Sequence, residues 1–480
     1  MSKIKNIINS VLDYCALGLY LYVVLSVFIP LFHTGHNEFF GLAAFLVKLA
    51  MVGIAAIKIL LSVKDNLRFA LISACSLILG FGYYFFKYYV DVNLYLTKGT
   101  DLLDLAAAII ALHGISTRRV FRDYFVVRGT CFAVAVVSAN LNIISSRRNY
   151  IPTRPGVWDM GMTHHNMPSI IFLFLALVWI SLIKNSKYRL IHYAIILIIE
   201  IYLGIATTSR TSLTVLGMGI ILLAIIYFYE KTDNKLMDIF VSIFSKCALI
   251  SPILVFVISI GGAVCRNYYI YCGKSINKGF FYNMFSRFLT LGADFANHGI
   301  KLPWSMREQT VPYSWVLGGD ISTLYSDNVV QVLVIKYGMV FSALLLVLLQ
   351  YWAIKAYRKK NYTDLIIIAV LCVFSVMEHH VVNYMYNPFY FLISTVVTDN
   401  NSAPTTNESV GVHSKKVTHL LVGVVLIFVA SVVCMMPVFK YQIQNGLLHN
   451  YFLLWVVFVI CLCFTTIKIF EKYSSKGCHL

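Results

Sequence analysis

The chain has 480 residues, 59% of them hydrophobic and 12% charged, with a formal net charge of +18 and a mean hydropathy of +0.77. A soluble chain carries about 25% charged residues, whereas here the apolar residues form runs of roughly 17–25, the length a helix needs to cross a bilayer. A closed barrel would show short alternating segments, so the expected class is all-α, a polytopic membrane helical bundle. The positive charge does not imply nucleic acid, because most Lys and Arg lie in short loops between apolar runs, where they orient a membrane protein.

In chain order, hydropathy predicts about fourteen spans, near residues 12–32, 39–62, 69–90, 102–116, 124–145, 167–183, 190–206, 211–229, 236–262, 327–353, 364–382, 384–398, 417–438 and 449–468. The fourth is short and opens on Asp101 and Asp104, and the eleventh and twelfth are barely separated, so the range is about 12–14 helices. No cleavable signal peptide is expected, since the apolar stretch after Asn6 is too long for a signal core and lacks a small-residue cleavage site.

Alternate loops are basic: Lys64 and Arg68; Arg118, Arg119 and Arg122; Lys184, Lys187 and Arg189; Lys231 and Lys235; Lys355 to Lys360; Lys415 and Lys416; Lys472 and Lys476. The intervening short loops at His33–Glu38, Val90–Thr100 and Lys440–Asn450 are nearly free of positive charge. The positive-inside bias then predicts cytoplasmic termini. Outside basic residues concentrate in three places: the 146–166 loop (Arg147, Arg148 and Arg154), Ser209-Arg210, and a long 263–326 loop holding Arg266, Lys274, Lys278, Arg287, Lys301 and Arg307. So long a loop is uncommon and usually functional, and positive charge where topology disfavours it points to an anionic ligand on the outer face. The expected organisation is N-terminal helices over 1–123, a core over 124–397 that includes this loop, a polar linker over 398–416 and a two-helix hairpin over 417–480.

Five constellations fall on that outer side. Gly161 to Pro168 opens the sixth span, where Asn166 suits an N-cap and Pro168 the first helical turn; capping leaves His164 and His165 unexplained. Thr207 to Ser212 opens the eighth, placing Arg210 among hydroxyls at the positive end of a helix dipole, an arrangement suited to phosphate. Its bland alternative is a snorkelling arginine. Phe285 to Asp294 reads as a short amphipathic helix presenting Arg287, and Tyr325 to Asn328 as a helix start with Asp327 as an ordinary cap. Glu378, His379 and His380, with Asn383 and Asn387 beyond, place a carboxylate and imidazoles between two apolar spans, which is costly without pairing or a wet cavity. Adjacent helical histidines diverge by about 100°, so no metal site is expected. The cysteines show no metal spacing and read as small core residues; Cys265 and Cys272, both in a polar loop, leave a disulfide open.

Over roughly residues 120–397 this ordered set resembles the O-antigen polymerase and O-antigen ligase superfamily of bacterial envelope glycosyltransferases. The resemblance is carried by the Gly161–Asn166 turn, Ser209-Arg210, Arg287, Asn328 with Gly338 ten residues on, and Glu378 followed by Asn383 and Asn387. It implies a GT-C-like fold with one large extracytoplasmic loop in the cytoplasmic membrane, and transfer of a glycan from a polyprenyl diphosphate carrier to an acceptor sugar, without metal, nucleotide sugar or other cofactor. The ligases carry His where this chain has Asp327, which favours the polymerase branch; an envelope glycan ligase with the same donor and a different acceptor is the near alternative.

Such a reaction needs diphosphate neutralisation, for which Arg210 and Arg287 are candidates, and a general base, for which Asp327 or Glu378 is preferred over His380 and His165. His164, His165, Asn166, Ser209, Asn328 and Asn383 are expected to bind the diphosphate or glycan, and aromatic residues of the loop such as Trp304 and Trp315 to stack on sugars. Expected partners are the lipid-linked oligosaccharide, membrane lipid, a chain-length regulator and a flippase, with no nucleic acid. A lipid-linked glycan transporter is the alternative of another class; it predicts related halves and polar groups near mid-membrane. A non-catalytic assembly protein would need neither arginine.

Overall fold

The computed structural model describes residues 2–26, 28, 37–63, 66–90, 101–144, 146, 157–162, 164–232, 235–271, 329–383 and 385–392. Every element among them is helical: α1 Ser2–Ser26, α2 Asn37–Ser62, α3 Leu67–Val90, α4 Asp101–Ala111, α5 Thr117–Asn140, α6 Met167–Ile183, α7 Arg189–Thr207, α8 Arg210–Tyr229, α9 Lys235–Tyr271, α10 Val329–Arg358 and α11 Tyr362–Met377, then 3-10 turns at His379–Val382 and Pro388–Tyr390. Five of these helices are long and apolar enough to cross a membrane, which makes this a helical membrane protein. The outward face of α7 carries Ile191, Ile195, Ile198, Ile201 and Ile205, the last 71% exposed. An isoleucine stripe of that length suits lipid and would be an aggregation hazard in water.

Several span boundaries move. The first helix begins at Ser2, so the Lys and Asn residues before the apolar run are its first turn. The ninth continues to Tyr271, which takes the first nine residues of the expected 263–326 loop into helix. The eleventh stops at Met377 because Glu378 is extended, with φ −147° and ψ 122°. Of the expected twelfth span at 384–398, residues 385–392 are described: turns at Asn383 and Asn387 and a 3-10 turn opened by Pro388 precede helix at Phe391 and Leu392. The rest of the large loop (272–328), the linker and the last two expected spans lie outside the described residues.

The described residues form two compact units, Met1–Cys131 with the chain that re-enters at Phe389, and Phe132–Pro388, the division falling within α5. In the first unit α2 packs against α1, α3 and α4. The short α4, with 11 residues, rises only about 16 Å, roughly half the hydrocarbon thickness. Its end would leave carbonyls unpaired inside the protein, and a lysine on α2 meets them: Lys58 Nζ donates to Ala111 O at 2.6 Å and to His113 O at 2.7 Å, and is neutralised by Asp13 of α1. A second pair, Lys48–Asp104 at 2.6 Å, ties α2 to the start of α4. Gly114, at φ +96°, makes the left-handed turn that releases the chain from α4 toward α5. Arg128 of α5 is fully buried, its guanidinium 5.7 Å from the Phe28 ring centroid and 5.6 Å from that of Tyr124. The re-entering chain adds Phe391 edge-on to Tyr20 at 4.7 Å and Phe389 to Phe121 at 5.0 Å.

In the second unit α6 is apolar all round and buried along nearly its whole length, in contact with α7, α8 and α11. The long α9 packs against α10 and α11 despite Pro252 in its middle. Proline removes the N–H that Ala248 O would have accepted. The Ser251 hydroxyl supplies that donor at 2.8 Å, and Gln350 Nε2 of α10 donates to the neighbouring Leu249 O at 2.8 Å. Backbone satisfaction inside lipid is thus restored by side chains.

Replacing Lys58 by Met should destabilise the protein by about 3–5 kcal/mol, because it strands a buried carboxylate and two carbonyls. Thermal unfolding of the purified variant measures this. The Asp13→Asn/Lys58→Met double variant should recover part of the loss; simple additivity of the two changes would show that the pair does not act as one unit.

Candidate functional site

The described site candidates all lie in the second unit, between Phe132 and Pro388. Local chemistry explains each turn. Before α6, Asp159 is buried and its Oδ1 accepts the Gly161 N–H at 2.9 Å, closing a tight turn with Met160 at φ +49° and Gly161 at φ +79°. The Asn166 N–H donates to His164 Nδ1 at 3.3 Å, and the His164 and His165 rings lie 4.1 Å apart. His165 is buried and His164 half-buried. An accepting Nδ1 puts the neutral ring's proton of His164 on Nε2. Asn166 occupies the N-cap position, but in helical conformation and with no side-chain cap bond, so the expected capping role falls to its backbone: Asn166 O accepts from Ile170 N at 3.1 Å.

Between α7 and α8 the chain reverses through Thr208 at φ 56° and ψ 24°. A β-branched residue in the left-handed region is strained, and such strain clusters at ligand sites. The Thr208 hydroxyl oxygen is buried and without a hydrogen-bond partner among the described residues. Ser209 and Ser212 are buried with their hydroxyls 3.3 Å apart, and no side chain caps the first turn of α8. Arg210 is exposed and has no carboxylate partner among the described residues. Free backbone donors, hydroxyls and an unneutralised guanidinium meet at one helix start, a setting able to hold an oxyanion.

These two turns are brought together. Trp158 N–H donates to Ala206 O at 3.1 Å, and the Ser169 hydroxyl of α6 lies 3.1 Å from that of Thr207, itself donating to Leu203 O at 2.7 Å. Both Ser169 and Thr207 are fully buried.

The turn after α11 lies at the same end of the unit, as the helix register shows. A Cβ placed on Gly219 of α8 would come within 2.7 Å of Val370 of α11, and Phe174 of α6 meets Phe374 edge-on at 6.1 Å. From Gly219 the Arg210 end lies nine residues back, and from Val370 Glu378 lies eight residues on, in a helix of opposite direction. Each is about 12–13 Å along its axis. Glu378 is buried, with His380 Nδ1 3.7 Å from its Oε2, an ion pair when the imidazole is protonated; Tyr386 packs edge-on against that imidazole at 5.4 Å. Asn383 Oδ1 accepts from Met385 N at 2.9 Å, and Asn387 Nδ2 donates to Val381 O at 2.9 Å. The Asn383 oxygen therefore shapes the turn.

Arg287, Asp327 and Asn328 lie outside the described residues. Asp159, Ser169 and the strain at Thr208 were not foreseen; nothing local in the sequence marks them except Asp159 two residues before a glycine. The expectation that polar groups gather at one end does not hold throughout, because Glu200 sits fully buried in the middle of α7. Among the described residues no cluster of His, Cys, Asp and Glu has the arrangement of a metal site. No family model, curated protein or solved structure matches the chain.

If the Thr208 conformation is strained, Thr208→Gly should be neutral or stabilising by up to about 1 kcal/mol, relief of strain outweighing the extra chain entropy. Melting of the purified variant measures it; a clear loss of stability would place the left-handed conformation among relaxed ones.

Proposed function

We propose that this protein is a membrane glycosyltransferase that joins polyprenyl-diphosphate-linked oligosaccharide repeats into a capsule, exopolysaccharide or O-antigen chain. The observation that carries this reading is the α7–α8 turn: a strained Thr208, buried Ser209 and Ser212, an uncapped helix start and an exposed Arg210. A diphosphate leaving group needs donors where its charge grows as the anomeric C–O bond breaks. Arg210 chelates it, Arg287 is the second cation, and the helix start contributes N–H donors. The hydroxyl of the incoming sugar gives its proton to Asp327 or Glu378; Glu378 has His380 beside it to take up or hold charge. His164 and His165, tied through Ser169 and Thr207 to the same end, line the glycan side.

Glu200 favours a second reading. A carboxyl near mid-membrane is what a transporter of the same lipid-linked glycan would carry. Surface glycan from cells lacking the gene separates the two: a polymerase deletion leaves single repeat units at the surface, whereas a transporter deletion leaves none.

Arg210→Ala should abolish long glycan at unchanged membrane abundance, and Arg210→Lys should restore little of it, because an ammonium cannot chelate. Immunoblots of protein and gel profiles of extracted glycan measure both; wild-type chain length in Arg210→Ala would remove the diphosphate clamp.

A further inference from the structure

Glu200 stands on the buried stripe of α7 with Tyr193, Ile196, Leu203, Gly204 and Thr207. It is 0% exposed, and neither carboxyl oxygen has a hydrogen-bond partner among the described residues. By helix rise it lies about 16 Å from the Arg189 end and about 10 Å from Thr207, inside the apolar layer. Among the described residues, the helices packed on α7 place no compensating charge along this stretch; α5, met through Tyr202 and Asn140, carries its charged residues at Arg128 and earlier. Helix α6 contains no titratable residue at all, and on α8 only Arg210, Tyr227 and Tyr229, at its two ends, are titratable. On α7 itself the ionisable groups are Arg189, His192, Tyr193 and Tyr202; Tyr193 alone shares the stripe, two turns away. Arg189 is already paired with Glu230.

An ionised carboxylate in such a place would cost many kcal/mol, a neutral carboxyl far less, and a leucine nothing. A carboxyl kept there has a use that leucine does not supply. We infer that Glu200 is a proton-binding site within the membrane, neutral at rest, which exchanges its proton with the Thr207 end of the helix. The stripe leads that way: Thr207 and Ser169 place two buried hydroxyls 3.1 Å apart one helical stretch above it, and Ser209 and Ser212 follow. This holds whichever substrate the Arg210 end handles.

The full-length protein in lipid nanodiscs tests it with a hydrophobic fluorescent carbodiimide, which reacts with protonated carboxyls in apolar surroundings. The carboxyl O–H adds across one N=C bond, forming a C–O bond and moving the proton to nitrogen; an O-to-N acyl shift then leaves a stable N-acylurea, with nothing released. Peptide mapping of the wild-type chain should find the label on Glu200 at neutral pH, with at least a tenfold excess over a water-soluble carbodiimide. Infrared spectra should show a protonated-carboxyl band that is lost in Glu200→Gln and shifts within minutes in deuterated buffer. An unlabelled Glu200 overturns the proposal, because a neutral, proton-exchanging carboxyl in apolar surroundings is what this reagent takes. A labelled Glu200 whose band resists deuterium also overturns it, since a proton that does not exchange is only buried. The mapping uses the wild-type chain, so the result does not depend on how a variant folds.

Discussion

The governing constraint is that hydrocarbon offers no hydrogen bonds, so every polar group between the membrane faces must find its partner inside the protein. Three local structures follow from it. The short helix α4 can end inside the protein because Lys58 reaches its last carbonyls, with Asp13 holding the charge balance. Helix α9 can carry Pro252 because Ser251 and Gln350 serve the carbonyls around the break. The buried Asp159 is tolerated because it accepts the Gly161 N–H of its own turn. The same constraint makes the exceptions informative: the buried hydroxyl of Thr208 and the carboxyl of Glu200 have no partner among the described residues.

What was legible in the sequence follows from what a one-dimensional pattern records. Long apolar runs bounded by basic loops predicted α2, α3, α6, α7 and α8 to within about two residues, because transfer free energy depends on composition alone. The helix-start signals at Pro168 and Ser209-Arg210 likewise marked real helix starts. Boundaries failed where hydropathy and backbone geometry part company. A polar amphipathic turn can extend a helix, as at Ser2, and an extended residue can end one inside an apolar run, as at Glu378.

The pairings were not legible. Lys58 was merely a charge near the end of an apolar run; that it meets α4 is a property of three-dimensional packing between helices about 50 residues apart. Ser169 and Thr207 read as ordinary small residues until packing placed their hydroxyls together. Glu200 differs, because a lone carboxyl within an isoleucine-rich span is itself a signal, and hydropathy averaged it away.

These observations give the second unit one coherent physical description. Its Lys184, Arg189, Lys231 and Arg358 belong to helix ends opposite those bearing His165, Arg210 and Glu378. Charge at the first end is in part spent on pairs such as Arg189 with Glu230. At the other end Arg210 carries no such partner among the described residues, beside a backbone held in a conformation its own residue disfavours. Strain there persists only if the surroundings over-determine it, and the bonds of Trp158 to Ala206 and Ser169 to Thr207 provide that restraint. The turn is therefore held in place by its own packing, which is the condition that the proposed diphosphate clamp requires of its donors.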